Sequence, residues 1–290
     1  MSIKKIGSQV LLISSVCAAL VATKVAASSD TSSQVTQAQK VLTLGIVPQQ
    51  SAKVLAKLWT PICQYLSDKT GMKIIFSTAK DIPTFENRLA AGEYDIAYMN
   101  PYHFTVFNQK PGYQAIAKEQ EKRIKGIVVV PKDSKITDLK QLDGQTLAFP
   151  APAAFAASVV PRAKIRAEGI KITPKYVSSH DSVYLSVAKG FFPAGGGVLR
   201  TFNNTDSAVR DKLKVLWTTP GYTPHALAMH PKLKNETVTN ISNALFDMYN
   251  SEEGKALLAS VKFKNLGPAD SSDWNDVRAL DIKLLDHLLK

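Results

Sequence analysis

Three short apolar runs separated by two stretches of helical spacing open the chain after residue 40, and this alternation restricts the fold more than any other feature. Val41-Leu42-Thr43-Leu44-Gly45-Ile46-Val47 is rich in β-branched and aliphatic residues and reads as a buried strand. It ends at Pro48-Gln49-Gln50-Ser51, after which Val54, Leu55, Leu58, Ile62 and Leu66 recur on one helix face. Gly71 stops that helix and Met72-Lys73-Ile74-Ile75-Phe76 is the next strand. Residues 83–91 form the next helix and residues 95–98 the third strand. Strands joined through helices need crossover connections, so the three are expected to pair in parallel, in a sheet covered on both faces.

A second series opens at Gly126-Ile127-Val128-Val129-Val130-Pro131. Ile136 to Leu142 reads as a short helix, Thr146-Leu147-Ala148-Phe149 as a strand, and a further helix begins near Ala156. Ile170 to Val177 is extended, Ser182 to Lys189 is a helix stopped by Gly190, and Gly195-Gly196-Gly197-Val198-Leu199 is a glycine-rich strand. Leu213 to Trp217 is another strand, Ala226-Leu227-Ala228-Met229 follows Pro224, and helices are expected over 236–249, 253–261 and 274–289. The fold class is therefore α/β in two lobes, each a mixed sheet flanked by helices, with a ligand cleft between them. Crossings near 122–130 and 215–226 assign 41–125 plus 222–290 to the first lobe and 126–221 to the second. A ligand favours closure of such lobes only through contacts it makes in both.

Residues 1–27 read as an export signal. Lys4 and Lys5 form the positive start, Val10 to Val21 the apolar core, and Val25-Ala26-Ala27 the small residues for cleavage near Ala27. That core is short for a bilayer span, and a permanent anchor is the competing reading. Residues 28–40 have little to bury and read as a flexible leader, so the product is expected in the periplasm. Cleavage removes three lysines and no acid from a formal charge of +12. The remaining charge is dispersed and no Lys/Arg run is interleaved with aromatics, which argues against a nucleic-acid partner. Beyond the signal only Cys63 remains, so no internal disulfide forms, and no Cys/His spacing makes a metal site. Cys63, beside Trp59, Ile62 and Leu66, reads as a core thiol, and no cofactor is expected. Neither a Gly-x-Ser-x-Gly elbow nor a Gly-Lys-Ser/Thr phosphate loop occurs, and the contiguous Ser179-His180-Asp181 has the wrong geometry for a triad. The chain reads as a binding protein and not an enzyme.

Between Asp95 and Phe104 the chain reads Asp-Ile-Ala-Tyr-Met-Asn-Pro-Tyr-His-Phe. A short strand runs into a polar, aromatic turn and then a helix, which is where open α/β sheets bind ligands. Leu44-Gly45-Ile46-Val47-Pro48 precedes it; Ile136 to Gly144, Leu147-Ala148-Phe149 and Ser179-His180-Asp181-Ser182 follow. In this order the blocks resemble the substrate-binding proteins of phosphate/phosphonate-type ABC importers over nearly all of the chain beyond the signal. The resemblance implies the type II periplasmic-binding fold and capture of a small ligand by lobe closure. It also implies a monomer that performs no chemistry and presents its closed form to an ABC permease in the inner membrane. A sensor feeding a histidine kinase is the nearest alternative, and an enzyme on the same fold a distant one.

In relatives a Ser-Thr-Ser-Gly run at a helix N-terminus follows the Phe149 strand, and its hydroxyls with backbone N–H groups hold the phosphonate oxygens. Here that place reads Ala154-Phe155-Ala156-Ala157, with Ser158 as one remaining hydroxyl. At roughly 1.5–3 kcal/mol for a hydrogen bond to a charged group, the loss points away from phosphonate itself and toward another small anion or zwitterion. Packing of a helix end is the competing reading of the run. Gly195-Gly196-Gly197 lies where amine-binding relatives carry a carboxylate, and Ile82 where relatives often carry a tyrosine. The expected ligand contacts are Gln50, Tyr98, Met99, Asn100, His103, Ala154, Phe155, Ala156, Ala157, Ser158, His180 and Asp181. Met99 and Phe155 are expected to form an apolar wall. Tyr98 lines the cleft or faces the core, and His103 and His180 either touch the ligand or serve the structure. Asp181 is the candidate acidic contact, and Gln49, Ser51 and His225 are weaker candidates.

Overall fold

The computed structural model describes residues 41–290; the expected signal and leader lie outside the described residues. Strands β1 (Val41–Ile46), β2 (Lys73–Ser77), β3 (Ile96–Met99) and β4 (Gln114–Glu119) belong to a first sheet. A second sheet is built from β5 (Gly126–Pro131), β6 (Thr146–Phe149), β7 (Thr173–Tyr176), β8 (Gly195–Val198) and β9 (Leu213–Thr218). The chain then returns to the first sheet with β10 (Ala226–Met229) and β11 (Leu266–Pro268), giving the orders β11-β4-β10-β3-β1-β2 and β7-β6-β8-β5-β9. As expected, β1 pairs in parallel with β2 and β3. The returning β10 pairs antiparallel with β3 and β4, and β11 with β4, so the first sheet is mixed and not all-parallel.

Helix α1 (Ala52–Thr70) shows how local sequence makes these layers. Ser51 accepts a hydrogen bond from the Val54 N–H at its start, and Gly71 ends it in the left-handed region at φ 68°. Leu55, Trp59, Ile62 and Leu66 on one face are buried against the first sheet. α2 (Ile82–Ala90) and α3 (Pro101–Phe107) follow β2 and β3, with Asp81 and Asn100 as their capping residues. In the second lobe a π turn, Phe155–Val159, leads without a break into α4 (Val160–Ala167). α5 (His180–Ala188) starts two residues earlier than the sequence suggests, because the Ser179 hydroxyl caps it by accepting from the Ser182 N–H. α6 (Leu199–Asn203) and α7 (Ser207–Arg210) follow β8. α8 (Asn235–Asp247) and α9 (Glu252–Ser260) pack on α1, and α10 (Asn275–Arg278) lies near the end of the chain.

Two expectations need correction. No helix runs over 274–289: α10 is one turn, flanked by 3-10 turns at Ser271–Trp274 and Asp286–Leu288. Asp281 takes φ 46°, which a continuing helix does not allow, and beyond Val277 only Leu285 is a buried apolar side chain. Ile136 to Leu142 holds only a 3-10 turn, Leu139–Leu142, fixed by a capping box between Asp138 and Gln141.

The chain passes between sheets twice, after Glu119 and after Thr218. The two crossings meet as an antiparallel bridge: Ile124 N–H donates to Tyr222 O at 2.7 Å, and Tyr222 N–H to Ile124 O at 3.0 Å. The first lobe's core continues into the second through Ala151, Ala153 to Ala157, Val160 and Val198. Glycine lets this segment lie close on the second lobe's own sheet. A Cβ on Gly126 would stand 1.8 Å from the Ala156 carbonyl oxygen, and one on Gly196 2.0 Å from that of Ala157. Gly126→Ala is therefore expected to lower stability by about 1–3 kcal/mol in urea unfolding, because the obstacle is backbone and cannot swing away. An unchanged midpoint would contradict this packing.

Candidate functional site

The end of β3 and the start of the Phe155 turn meet at one small chamber between the lobes, beside the paired crossings. Its volume is about 10 Å³. The first lobe contributes Val47, Gln49, Ile82, Asn100 and His225, the second Ala154, Phe155, Ala156, Ala157, His180 and Val198, and the crossing Ile124. The lobes also bond directly across it. His180 N–H donates to Gln49 O at 2.9 Å, and Ser51 N–H to Asp181 Oδ2 at 3.0 Å. Arg200 donates to Gln49 Oε1 at 3.1 Å, and Asn100 Nδ2 to Ala153 O at 3.4 Å.

Among the described residues no side chain lining the chamber carries a fixed charge. His180 is pushed down from its ordinary 6.5 to about 3, first by burial and then by the Arg200 charge. The same causes hold His225 well below its ordinary value. Both imidazoles are neutral at pH 7, so each offers one N–H donor and one acceptor. His180 Nδ1 lies 2.9 Å from Thr201 Oγ1, whereas His225 Nε2 is buried with no partner among the described residues. The π turn at Phe155 has no side-chain cap, so its first N–H groups have no intrahelical acceptor. The chamber is a shell of neutral donors at the positive end of a helix.

Of the expected contacts, Asn100, Ala154, Phe155, Ala156, Ala157 and His180 line this chamber. Phe155 is a wall, packed edge-on to Tyr222 at 5.2 Å. The others stand elsewhere. Met99 is wholly buried in the first lobe's core, where it pairs in register with Ala226. His103, also fully buried, stands behind Asn100: its Nε2 is 2.9 Å from Asn100 Nδ2 and 2.9 Å from Glu86 Oε1. Its backbone N–H donates to Asn100 Oδ1 at 2.8 Å, so it fixes the amide and does not itself line the chamber. Ser158 is fully buried with its Oγ unpartnered among the described residues, outside the chamber lining. Asp181 holds the Ser51 N–H and lies beside Gln50, and burial raises its pKa; it serves as a bridge between lobes.

Tyr98 does not line this chamber and faces the first lobe's core. It is buried among Trp59, Phe263 and His225, stacked on the last at 4.9 Å, and it also lines a cavity of about 420 Å³ on the hinge side of the chamber. Arg200 was missed altogether, though it bridges the lobes and lies 5.7 Å over the Tyr98 ring and 5.9 Å over Phe263. Its only sequence signal is a lone arginine just beyond the glycine-rich strand. His225 and Gln49 were weak candidates and are wall residues. Cys63 is buried and its thiol pushed up to about 12 by desolvation, which leaves it inert as a nucleophile. No helix among the described residues is long and apolar enough to cross a membrane.

Two mixed sheets joined by paired crossings, with a chamber between them, have the type II periplasmic-binding fold. A family model described as ABC transporter, phosphonate, periplasmic substrate-binding protein matches residues 44–274, and the chain belongs to that family. Members are substrate-binding components of transporters. The chain is 23% identical over 262 residues to the phosphate-import protein PhnD of Mycolicibacterium smegmatis, covering 78% of this chain and 77% of that one. A binding component of an ABC phosphonate transporter from Pseudomonas aeruginosa superposes with a TM-score of 0.78 at 19% identity, over 84% of this chain and 86% of the other. PhnD1 from Prochlorococcus marinus, solved with methylphosphonate, gives a TM-score of 0.78 at 18% identity, over 85% and 98%.

The buried histidines give the protein a pH dependence. Below the ordinary value of 6.5 the unfolded chain binds protons that the folded His180 and His225 refuse, so stability falls as pH falls. From pH 6.5 toward 5 each such histidine is expected to remove up to about 1.4 kcal/mol per pH unit. Urea titrations should show that slope, and His180→Asn should make it shallower. A flat or rising stability over this window would contradict the burial of neutral imidazoles.

Proposed function

We propose that this protein captures a small anion or zwitterion, a phosphorus oxyanion first among them, in the chamber between its lobes, which at about 10 Å³ has room for one water at most in this closed form and widens to admit the ligand, and delivers it to an ABC permease. The carrying observation is that both lobes aim neutral donors at one chamber that lies at an uncapped helix start. An anion there receives backbone N–H groups and the helix dipole from the second lobe, and the imidazole of His225, whose Nε2 has no partner among the described residues, from the first. Contacts in both lobes stabilise the closed form and not the open one. Phosphate import and bound methylphosphonate, in the names of two similar proteins, support phosphorus oxyanions as the first ligands to test.

In this reading residues 41–125 with 222–290 move as one body against 126–221, hinging at the Ile124–Tyr222 bridge. Residues 1–27 export the chain and are removed near Ala27, and the monomer binds without turning its ligand over. The Ala154–Ala157 run supplies no hydroxyl, so affinity for phosphonate rests on backbone N–H groups and the imidazole donors.

Thermal unfolding against phosphate, phosphite, methylphosphonate and sulfate tests this. A ligand at a hundred times its Kd adds about 2.7 kcal/mol. Ala154→Ser with Ala156→Ser should tighten methylphosphonate at least about tenfold, since one restored hydrogen bond to a charged oxygen contributes about 1.5–3 kcal/mol. No shift with any of the four, or a double variant that binds no tighter, would contradict the assignment.

A further inference from the structure

We infer that the physiological ligand is an organic phosphate with a second anionic group, which extends from the chamber into the hinge-side cavity. This rests on the small-anion reading of the chamber and names the ligand class. The cavity of about 420 Å³ shares Ile124, Val198 and His225 with the chamber as common walls. Such a volume lies within the roughly 300–1,000 Å³ of sites for drug-sized molecules, far beyond what a small alkylphosphonate fills.

Its lining is charged in one sense. Lys122, Arg123, Lys125, Arg200, Lys262 and Lys264 surround it, against the single carboxylate of Glu119. The whole chain has 36 basic and 24 acidic residues, so six against one departs from the general basicity of the protein. Glu119 is taken by Lys122 at 2.7 Å, and Arg123 is paired with Asp276 at 2.6 Å. Lys125, Arg200, Lys262 and Lys264 form no ion pair among the described residues. A concave wall of unpaired cations focuses its field into the cavity and selects multiply charged anions.

Two further observations connect this wall to the chamber. His225, on the boundary of both spaces, keeps Nε2 buried without a partner among the described residues. Arg200 comes from the second lobe, while Lys262 and Lys264 belong to the segment that packs with the first. An anionic group lying among them touches both lobes and adds to closure what the hydroxyl-free helix start lacks.

Calorimetric titration with methylphosphonate, pyrophosphate and fructose 1,6-bisphosphate, at low and high salt, tests the inference. At low salt one of the two probes with a second phosphoryl group should bind at least about tenfold tighter than methylphosphonate, a gain that shrinks with salt. Lys262→Glu with Lys264→Glu, both exposed and so compatible with folding, should abolish that preference and leave methylphosphonate within about threefold of the parent. Equal binding of all probes, or a preference that survives the charge reversal, overturns the inference and leaves the small-anion reading standing. Binding of none of the probes overturns both.

Discussion

The closeness of the Phe155 turn to the second sheet is the constraint on which the site depends. Gly126 and Gly196 present bare backbone to the carbonyls of Ala156 and Ala157, where any side chain would collide. That contact lets the helix start sink between the lobes until Ala153 to Ala157 join the first lobe's core. Just before the turn, Ala153 O accepts from Asn100 Nδ2, and a buried Glu86–His103 pair stands behind that amide. The absence of two Cβ atoms thus seats the turn on its own lobe's sheet, and the lobes themselves meet through the bonds of Gln49, Ser51 and Asn100 to His180, Asp181, Arg200 and Ala153.

The chamber and the cavity beside it divide the electrostatic work. Inside, burial keeps the histidines neutral, so donors are present without the cost of desolvating a fixed charge. Outside, on the hinge side, lysine and arginine side chains remain hydrated and cost little to maintain. Arg200 joins the two regions, lying over Tyr98, bonded to Gln49, and lowering the pKa of both chamber histidines.

Much of the architecture was legible in the sequence because burial has a period. The Val41–Val47 run, the α1 stripe and the Gly126–Pro131 run each name their own element, and the order of blocks carries the family resemblance. The C-terminal helix was misread because helical spacing around Trp274 and Val277 does not reveal that Asp281 takes a left-handed conformation. Short strands such as β4 and β11 are stabilised by partners far along the chain, so their own sequence says little. At the site, the Ala154–Ala157 run was legible by position. Asp181 and Met99 were not: whether a residue at a strand end or helix start points to the cleft, the core or the other lobe is decided by tertiary packing. Arg200 left almost no trace, because a single cation after a strand is common on any surface.

Lobe closure on a small anion is the central claim, and a distance across the lobes measures it directly. Lys53 and Lys189 are both exposed, one on α1 and one just past the end of α5, and Cys63 is buried away from labelling reagents. Spin labels on a Lys53→Cys, Lys189→Cys variant should move closer when phosphate or methylphosphonate is added, with half-saturation matching the calorimetric Kd. A distance that stays unchanged while calorimetry records binding would contradict capture between the lobes.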